Sequence, residues 1–338
     1  MGIAVLVGDS LGMGDVFMLK KAIAVVTSGG DSPGMNAAAR AVVRTAIYEG
    51  VEVYGVHNGY SGMVHDDIEK LTTRSVSDLI QRGGTFLGTA RSKSFMTPEG
   101  RKTAFDNLCK RGIEGLVIIG GDGSLTGGSL LSKETGMPIV GLPGTIDNDV
   151  WGMDYTIGCD TACNTIVDAI NKLRDTASAH RRIILVEVMG RHSGWLAMMS
   201  GIAGGAEYIL VPEVAYDLEE ISCELKEMYE AGKRYSIIVV AEGAGSAVEI
   251  GKIIGEKTEI DTRVSVLGHI QRGGSPTVED RIKASMLGEK AALAIISGIN
   301  DVIFSFNEGQ VVSVNLFEAV NNTKTLDPEL VRLSRVLA

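Results

Sequence analysis

The chain has 338 residues, 45% hydrophobic and 22% charged, the make-up of an ordinary globular protein with room for two domains. Its formal charge of −10 argues against nucleic acid or an anionic membrane as the main partner, so any anion site must be a local cluster of arginines. No apolar run reaches membrane-spanning length. The four cysteines, Cys109, Cys159, Cys163 and Cys223, contain no CxxC pair and read as small residues in a reducing, cytoplasmic compartment.

Met1 to Phe17 is apolar and glycine-rich, with Asp9, Asp15 and no basic start, which makes a poor signal peptide. Met18-Leu19-Lys20-Lys21 reads as a second natural beginning, and residues 1–17 are expected to be an extension outside the fold. Ala22–Thr27 predicts a strand that exits into Ser28-Gly29-Gly30-Asp31-Ser32-Pro33-Gly34 and a helix over Met35–Tyr48. The glycine spacing resembles a P-loop, but Met35-Asn36 stands where Lys-Ser/Thr belongs; a nucleotide loop of another kind and a structural turn both remain open. Asp31 is expected to cap that helix. Val51–Val56 predicts a strand, residues 57–72 a loop, Ser75–Gln81 a short helix and Glu99–Arg111 an amphipathic one.

Two apolar, β-branched runs follow, each stopping at glycines, as buried parallel strands do when they deliver the chain to a loop. Gly115–Ile119 exits into Gly120-Gly121-Asp122-Gly123-Ser124, and Pro138–Leu142 into Pro143-Gly144-Thr145-Ile146-Asp147-Asn148-Asp149, with a helix over 125–135 between them. Glycine admits backbone N–H groups close to phosphate oxygens. Three carboxylates stand just past the strand ends, where doubly wound sheets bind ligands. This is a phosphate site with a metal-binding acid and a base. From about 158 the pattern restarts, with helices over 158–176, 195–203, 218–231, 247–257 and 278–298 and strands over 182–188, 207–211, 236–241, 263–267, 302–306 and 310–314. The tail after Asn315 is expected to pack as a closing helix. Such alternation predicts an α/β protein of two doubly wound, Rossmann-like domains with mostly parallel sheets, facing each other across the active-site cleft. QRGG occurs twice, at 81–84 and 271–274, too short a repeat to establish duplication.

TSGGDSPGMNAA (27–38), GGDGS (120–124), PGTIDND (143–149), RDTASAHRR (174–182), VEVMGR (186–191) and LGHIQRGGSP (267–276) resemble, in this order, the motifs of the bacterial ATP-dependent 6-phosphofructokinases. The resemblance runs from about Met18 to near the C-terminus. It implies a homotetramer that moves the γ-phosphoryl of MgATP to the 1-hydroxyl of fructose 6-phosphate. It also implies an ATP-binding domain at 18–157 plus about 275–324, and a sugar-phosphate domain at about 158–274 plus 325–338. Gly30, Arg91, Ser92, Gly121, Asp122, Gly123 and Ser124 would hold ATP. Asp122 would bind Mg²⁺, with Asp149 as a possible second ligand. Asp147 would take the hydroxyl proton as a carboxylate of ordinary basicity, Thr145 would offer a hydroxyl to the phosphoryl, and Arg91 and Arg191 would spread its charge.

The sugar phosphate would meet Thr145, Ile146, Asp147, Arg182, Met189, Gly190, Arg191, Glu242, Arg263, His269, Ile270, Gln271 and Arg272, with Arg182 and Arg263 reaching in from a neighbouring subunit. Arg40 and Arg44, four apart on one helix face, would join Arg174, Gly205, Glu207, Lys233, Arg234 and Tyr235 in an effector site for ADP or phosphoenolpyruvate. Ala231 and Thr73 stand where relatives carry cations, which weakens that site. The Ser92-Lys93-Ser94-Phe95 loop and Trp195 also depart from the pattern. Pyrophosphate-dependent relatives carry aspartate at position 123 and lysine at 144; glycine at both leaves room for ATP. An NAD or lipid kinase with a GGDG turn, and a catalytically inactive metabolite sensor on the same fold, are the other readings. The intact set Asp122, Asp147, Arg191 and Arg272 favours the enzyme.

Overall fold

A computed structural model describes residues 21–337, so the expected extension at 1–17 lies outside the described residues. In chain order the elements are β1 (Ala22–Ser28), α1 (Met35–Tyr48), β2 (Glu52–Val56), α2 (Gly59–His65), β3 (Ile68–Lys70), α3 (Pro98–Cys109), β4 (Leu116–Gly120), α4 (Asp122–Thr135) and β5 (Ile139–Pro143). Then come α5 (Cys159–His180), β6 (Ile183–Val188), α6 (Trp195–Ala203), β7 (Tyr208–Leu210), α7 (Leu218–Glu230), β8 (Ser236–Ala241), α8 (Ala247–Thr258) and β9 (Thr262–Val266). A 3-10 turn (Gly268–Arg272), α9 (Val278–Ile296), β10 (Val302–Asn307), β11 (Gln310–Asn315), α10 (Leu316–Ala319) and α11 (Pro328–Leu337) complete the chain. The fold is α/β with two mostly parallel sheets.

The chain forms two compact units. The first takes the chain up to Thr145, then Val150–Gly158 and Gly274–Lys324; the second takes Ile146–Asp149, Cys159–Gly273 and the chain from Thr325 on. The sheet of the first unit runs β11-β10-β5-β4-β1-β2-β3. Its five inner strands are mutually parallel, and β11 and β3 close the edges antiparallel. All seven residues of β1 and all five of β4 and β5 are buried, as continuous apolar runs covered by helices on both faces should be. Ala24, Val26, Leu116, Ile118 and Ile139 pack with Leu108 of α3 and Leu125 and Leu131 of α4. On the other face α1 lies against β1 and packs closely on α9. A Cβ on Gly288 of α9 would meet the Ala38 carbonyl at 2.4 Å, so the small residues of α1 and α9 set that approach.

The sheet of the second unit runs β7-β8-β6-β9, all parallel. The alternation along β6 divides its faces. Ile184, Val186 and Val188 point to α5 and α6, while Ile183 and Leu185 point to α7 and α8. Leu330 and Val331 of α11 pack on the first of these clusters, as the expected closing helix does; Trp195 packs there too.

Three local expectations fail. Residues 59–65 are helical and 68–70 form a strand, inside the segment read as loop. Ser75–Gln81 forms turns, not a helix. There the Thr72 N–H donates to Ser75 Oγ at 3.0 Å and the Ser75 N–H to Thr72 Oγ1 at 3.3 Å, local bonds that compete with a helical ladder. Asp31 does not cap α1, whose N-cap is Gly34 at φ +106 with no side-chain bond.

Candidate active site

In the first unit, the exits of β1, β4 and β5 are laced together. A Cβ on Gly29 would meet Ser124 Oγ at 2.9 Å, and one on Gly120 would meet the Ser28 carbonyl at 2.5 Å, so glycine is what lets these turns nest. The Gly144 N–H donates to the Gly120 carbonyl at 3.0 Å, joining the two glycine turns directly. Thr145 lies beside the first turn, its Cβ 3.4 Å from where a Cβ on Gly121 would stand. The Thr89 hydroxyl donates to the Gly29 carbonyl at 2.8 Å and the Thr27 hydroxyl to the Gly88 carbonyl at 3.0 Å, tying the 85–91 loop to the β1 exit.

Helix α4 starts at Asp122 behind Gly121, with no side-chain cap. Its first N–H groups and its dipole are therefore suited to receive an anion. Asp122, Gly123 and Arg91 are exposed. The hydroxyl of Tyr60, buried and stacked on Phe95 at 3.9 Å, donates to the Ser124 carbonyl and fixes the far side of the turn. Neither residue stood out in the sequence. Ser92 serves its own loop, accepting from the Phe95 N–H at 3.2 Å. Within the first unit, Gly83 of one QRGG lies against Gly274, the last residue of the other: a Cβ on Gly83 would lie 2.2 Å from the Gly274 carbonyl.

The second unit gathers charged groups at the carboxyl ends of its strands. Asp147 is 5% exposed. Burial is the main cause that pushes its carboxyl up to about 6, helped by the Asp149 and Glu242 charges and opposed by Arg191 and Arg272. This corrects the expectation of ordinary basicity. The Arg191 Nε lies 3.9 Å from Asp147 Oδ2. Arg191 has φ +52 and follows Gly190 at φ +139; Asn148, beside Asp147, has φ +49. Left-handed backbone at non-glycine residues concentrates at working sites. Glu242 Oε1 accepts the Arg191 N–H at 2.8 Å and so holds that turn.

Gln271, expected at the sugar, uses its side chain as a brace. Its Oε1 accepts the Met189 N–H at 3.1 Å and its Nε2 donates to the Gly268 carbonyl at 2.9 Å. Met189 and Ile146 belong to the buried core beside these groups, while His269 and Ile270 are exposed.

Arg182 and Arg263 are not among them. They stand at the amino ends of β6 and β9, where Ile183 pairs with Thr262, and both bond Asp261, at 2.5 and 3.0 Å. The same amino edge holds the expected effector residues of this unit. Glu207 pairs with Lys233 at 3.0 Å and accepts the Ile237 N–H at 2.6 Å. Arg174 lies over the Tyr235 ring at 5.6 Å and donates to the carbonyls of Gly204 and Gly205. Arg234 is exposed, as is Ala231 at the end of α7. Arg40 and Arg44 belong to α1 of the first unit, where burial and the Arg44 charge lower the Arg40 pKa.

A family model described as Phosphofructokinase matches residues 22–295. The chain is 57% identical over 318 residues to the ATP-dependent 6-phosphofructokinase of Bacillus licheniformis, covering 94% of this chain and 99% of that one. It is 55% identical, with the same coverage, to the protein of that name from Bacillus subtilis. Phosphofructokinase from Saccharomyces cerevisiae superposes with a TM-score of 0.84 at 39% identity; the match covers 94% of this chain and spans only 48% of the yeast chain. The pyrophosphate-dependent enzyme of Nitrosospira multiformis gives a TM-score of 0.85 at 20% identity, a likeness of fold. With both glycine turns, the strained Gly190-Arg191 exit and nearly the whole length matched, this chain belongs to the phosphofructokinase family.

Proposed function

We infer that the chain transfers the γ-phosphoryl group of ATP to the 1-hydroxyl of fructose 6-phosphate, giving fructose 1,6-bisphosphate and ADP. The observation that carries this reading is Asp147, a buried carboxylate whose pKa of about 6 suits a base near neutral pH, beside the Arg191 guanidinium. Asp147 removes the proton of the attacking hydroxyl. Arg191 and Arg91 spread the charge of a loose phosphoryl-transfer transition state, and Thr145 offers its hydroxyl to the same group. Gly30, Ser92 and the backbone of residues 121–124 hold the nucleotide phosphates.

Asp122 fits a magnesium ion: it is an exposed hard-oxygen carboxylate at the start of α4, and Asp149 offers a second. The ion, when bound, neutralises charge on the ATP phosphates. Met189, Gly190, Glu242, His269, Ile270 and Arg272 receive the sugar phosphate.

Arg182 and Arg263 head β6 and β9, and a six-residue strand spans ~20 Å. We therefore assign their phosphate contact to a neighbouring copy in a homotetramer. Arg40, Arg44 and the amino-edge residues Arg174, Gly205, Glu207, Lys233, Arg234 and Tyr235 would take ADP or phosphoenolpyruvate.

The donor is read from two glycines. A Cβ at Gly144 would meet Met35 Cε at 2.7 Å, Ile119 Cγ2 at 3.1 Å and the Gly120 backbone nitrogen at 3.2 Å, so a lysine there would be crowded; at Gly123 nothing lies within 4 Å. A coupled assay with fructose 6-phosphate is expected to show turnover with ATP and none with pyrophosphate. Turnover with pyrophosphate alone would reverse the assignment.

A further inference from the structure

The loop that carries Thr145, Asp147 and Asp149 leaves β5 at Pro143 and returns through Val150–Gly158. Its neck is closed by the Ile157 N–H, which donates to the Pro143 carbonyl at 2.8 Å, and by a parallel bridge between Gly144 and Ile157. Just past the neck stands Asp280, on the first turn of α9 and 0% exposed. One oxygen of its carboxylate, Oδ1, accepts from the Tyr155 hydroxyl and from the Gly158 N–H at 2.9 Å. Thr277 Oγ1 accepts the Asp280 N–H at 3.2 Å as N-cap of α9, so the acid sits on a fixed helix start.

The glycine loop after β1 meets the same point. A Cβ on Gly34 would touch Ile157 Cγ2 at 2.9 Å and the Asp280 Cβ at 3.6 Å, and one on Gly158 would lie 2.7 Å from the Ser32 Cβ. Three stretches thus converge here. One holds Gly30 of the nucleotide loop, one returns from the base, and one carries Asp280, eight residues after Arg272. Tyr155 is itself confined, edge-on to Phe306 at 5.9 Å with the Lys283 ammonium 4.5 Å from its ring centroid. A buried carboxylate with two charge-assisted bonds is a firm anchor, and a stiff neck limits how far the loop tip strays.

We propose that Asp280, through Tyr155 and Gly158, is a positioning residue for the Asp147 loop: it fixes the loop's neck so that the base meets the sugar hydroxyl. This rests on the phosphofructokinase reading above. Neither residue touches the reacting atoms, so its signature is loss of kcat without loss of binding. A misplacement on the order of 1 Å in a reacting group lowers rate by ~100-fold.

The test compares Tyr155→Phe, Asp280→Ala and Asp280→Asn with wild type in the ATP and fructose 6-phosphate assay. Tyr155→Phe removes one hydroxyl and keeps the ring packing. It is expected to lower kcat at least ~10-fold, with both KM values within ~3-fold of wild type. Asp280→Ala should lower kcat further, and Asp280→Asn, whose amide oxygen can still accept both bonds, should restore most of it. Folded Tyr155→Phe with wild-type kcat, or equal losses in the Asn and Ala variants, overturns the proposal. If Asp280→Ala fails to fold, Tyr155→Phe and Asp280→Asn decide it. Wild type that turns over neither substrate would sink the functional reading instead, so the two failures are distinguishable.

Discussion

The two edges of the four-stranded sheet in the second unit carry similar residues in opposite states. At the carboxyl edge, Arg191 and Asp147 are held 3.9 Å apart, one exposed and the other buried, on backbone that includes two left-handed residues. At the amino edge, Arg182, Arg263, Glu207 and Lys233 are closed into ion pairs of 2.5 to 3.0 Å, and Arg181, just before β6, is left-handed too. At the first edge burial outweighs the nearby arginines and raises the Asp147 pKa, which makes a carboxylate more basic. The second neutralises its own charge, and a phosphate arriving there must compete with carboxylates already in place. In the proposed reading, one sheet separates a reactive edge from a recognising one.

The sharpest way to break this contrast is at Asp147. Asp147→Asn is expected to lower kcat by ~10²–10⁴-fold while ATP still binds, measured by steady-state kinetics and equilibrium dialysis. Activity within a few-fold of wild type would remove Asp147 from the role of base.

Asp147 also predicts how pH acts on the fold. Its carboxyl is raised from ~4 to about 6. The neutral form is therefore favoured in the folded state. The group's stabilising contribution is fully present below pH ~4 and is lost as pH rises through about 6. At pH 8 the Asp147→Asn protein should be the more stable, by up to ~3 kcal/mol, and the gap should close toward pH 4. Denaturant melts at the two pH values measure this, and a gap independent of pH would refute the raised pKa. The same shift places the acid limb of kcat/KM near 6.

The smallest expected effect lies at the amino edge. Arg182→Ala should raise KM for fructose 6-phosphate by ~10-fold and leave KM for ATP unchanged. If neither changes, the Arg182–Asp261 pair is structural and the two edges share no substrate.

Much of this was legible in the sequence, for reasons that differ between residues. Strands β1, β4 and β5 announce themselves because buried parallel strands are continuous apolar runs cut off by glycine. Helix α2 hides because Gly59 and Gly62 are poor helix formers, and both its caps are left-handed residues, Asn58 and Asp66. The residues Arg191, Glu242 and Arg272 could be named, but the basicity of Asp147 could not. It comes first from burial, then from the charges of the neighbouring Asp149 and the distant Glu242, opposed by Arg191 and Arg272, and only the fold buries the carboxyl and gathers the distant groups around it. Gln271 shows the opposite limit: its position invites a ligand role, and only the fold reveals that both ends of its amide serve the backbone.

Trp195 opens α6 against the core of the second unit, and the chain has one other tryptophan, Trp151, two residues beyond Asp149 in the segment braced by Asp280. One indole thus stands on the return arm of the loop that carries Asp147 and the other at the head of α6. With Trp195 replaced by phenylalanine, the remaining emission comes from that arm alone, an intrinsic optical gauge of its motion that needs no attached dye.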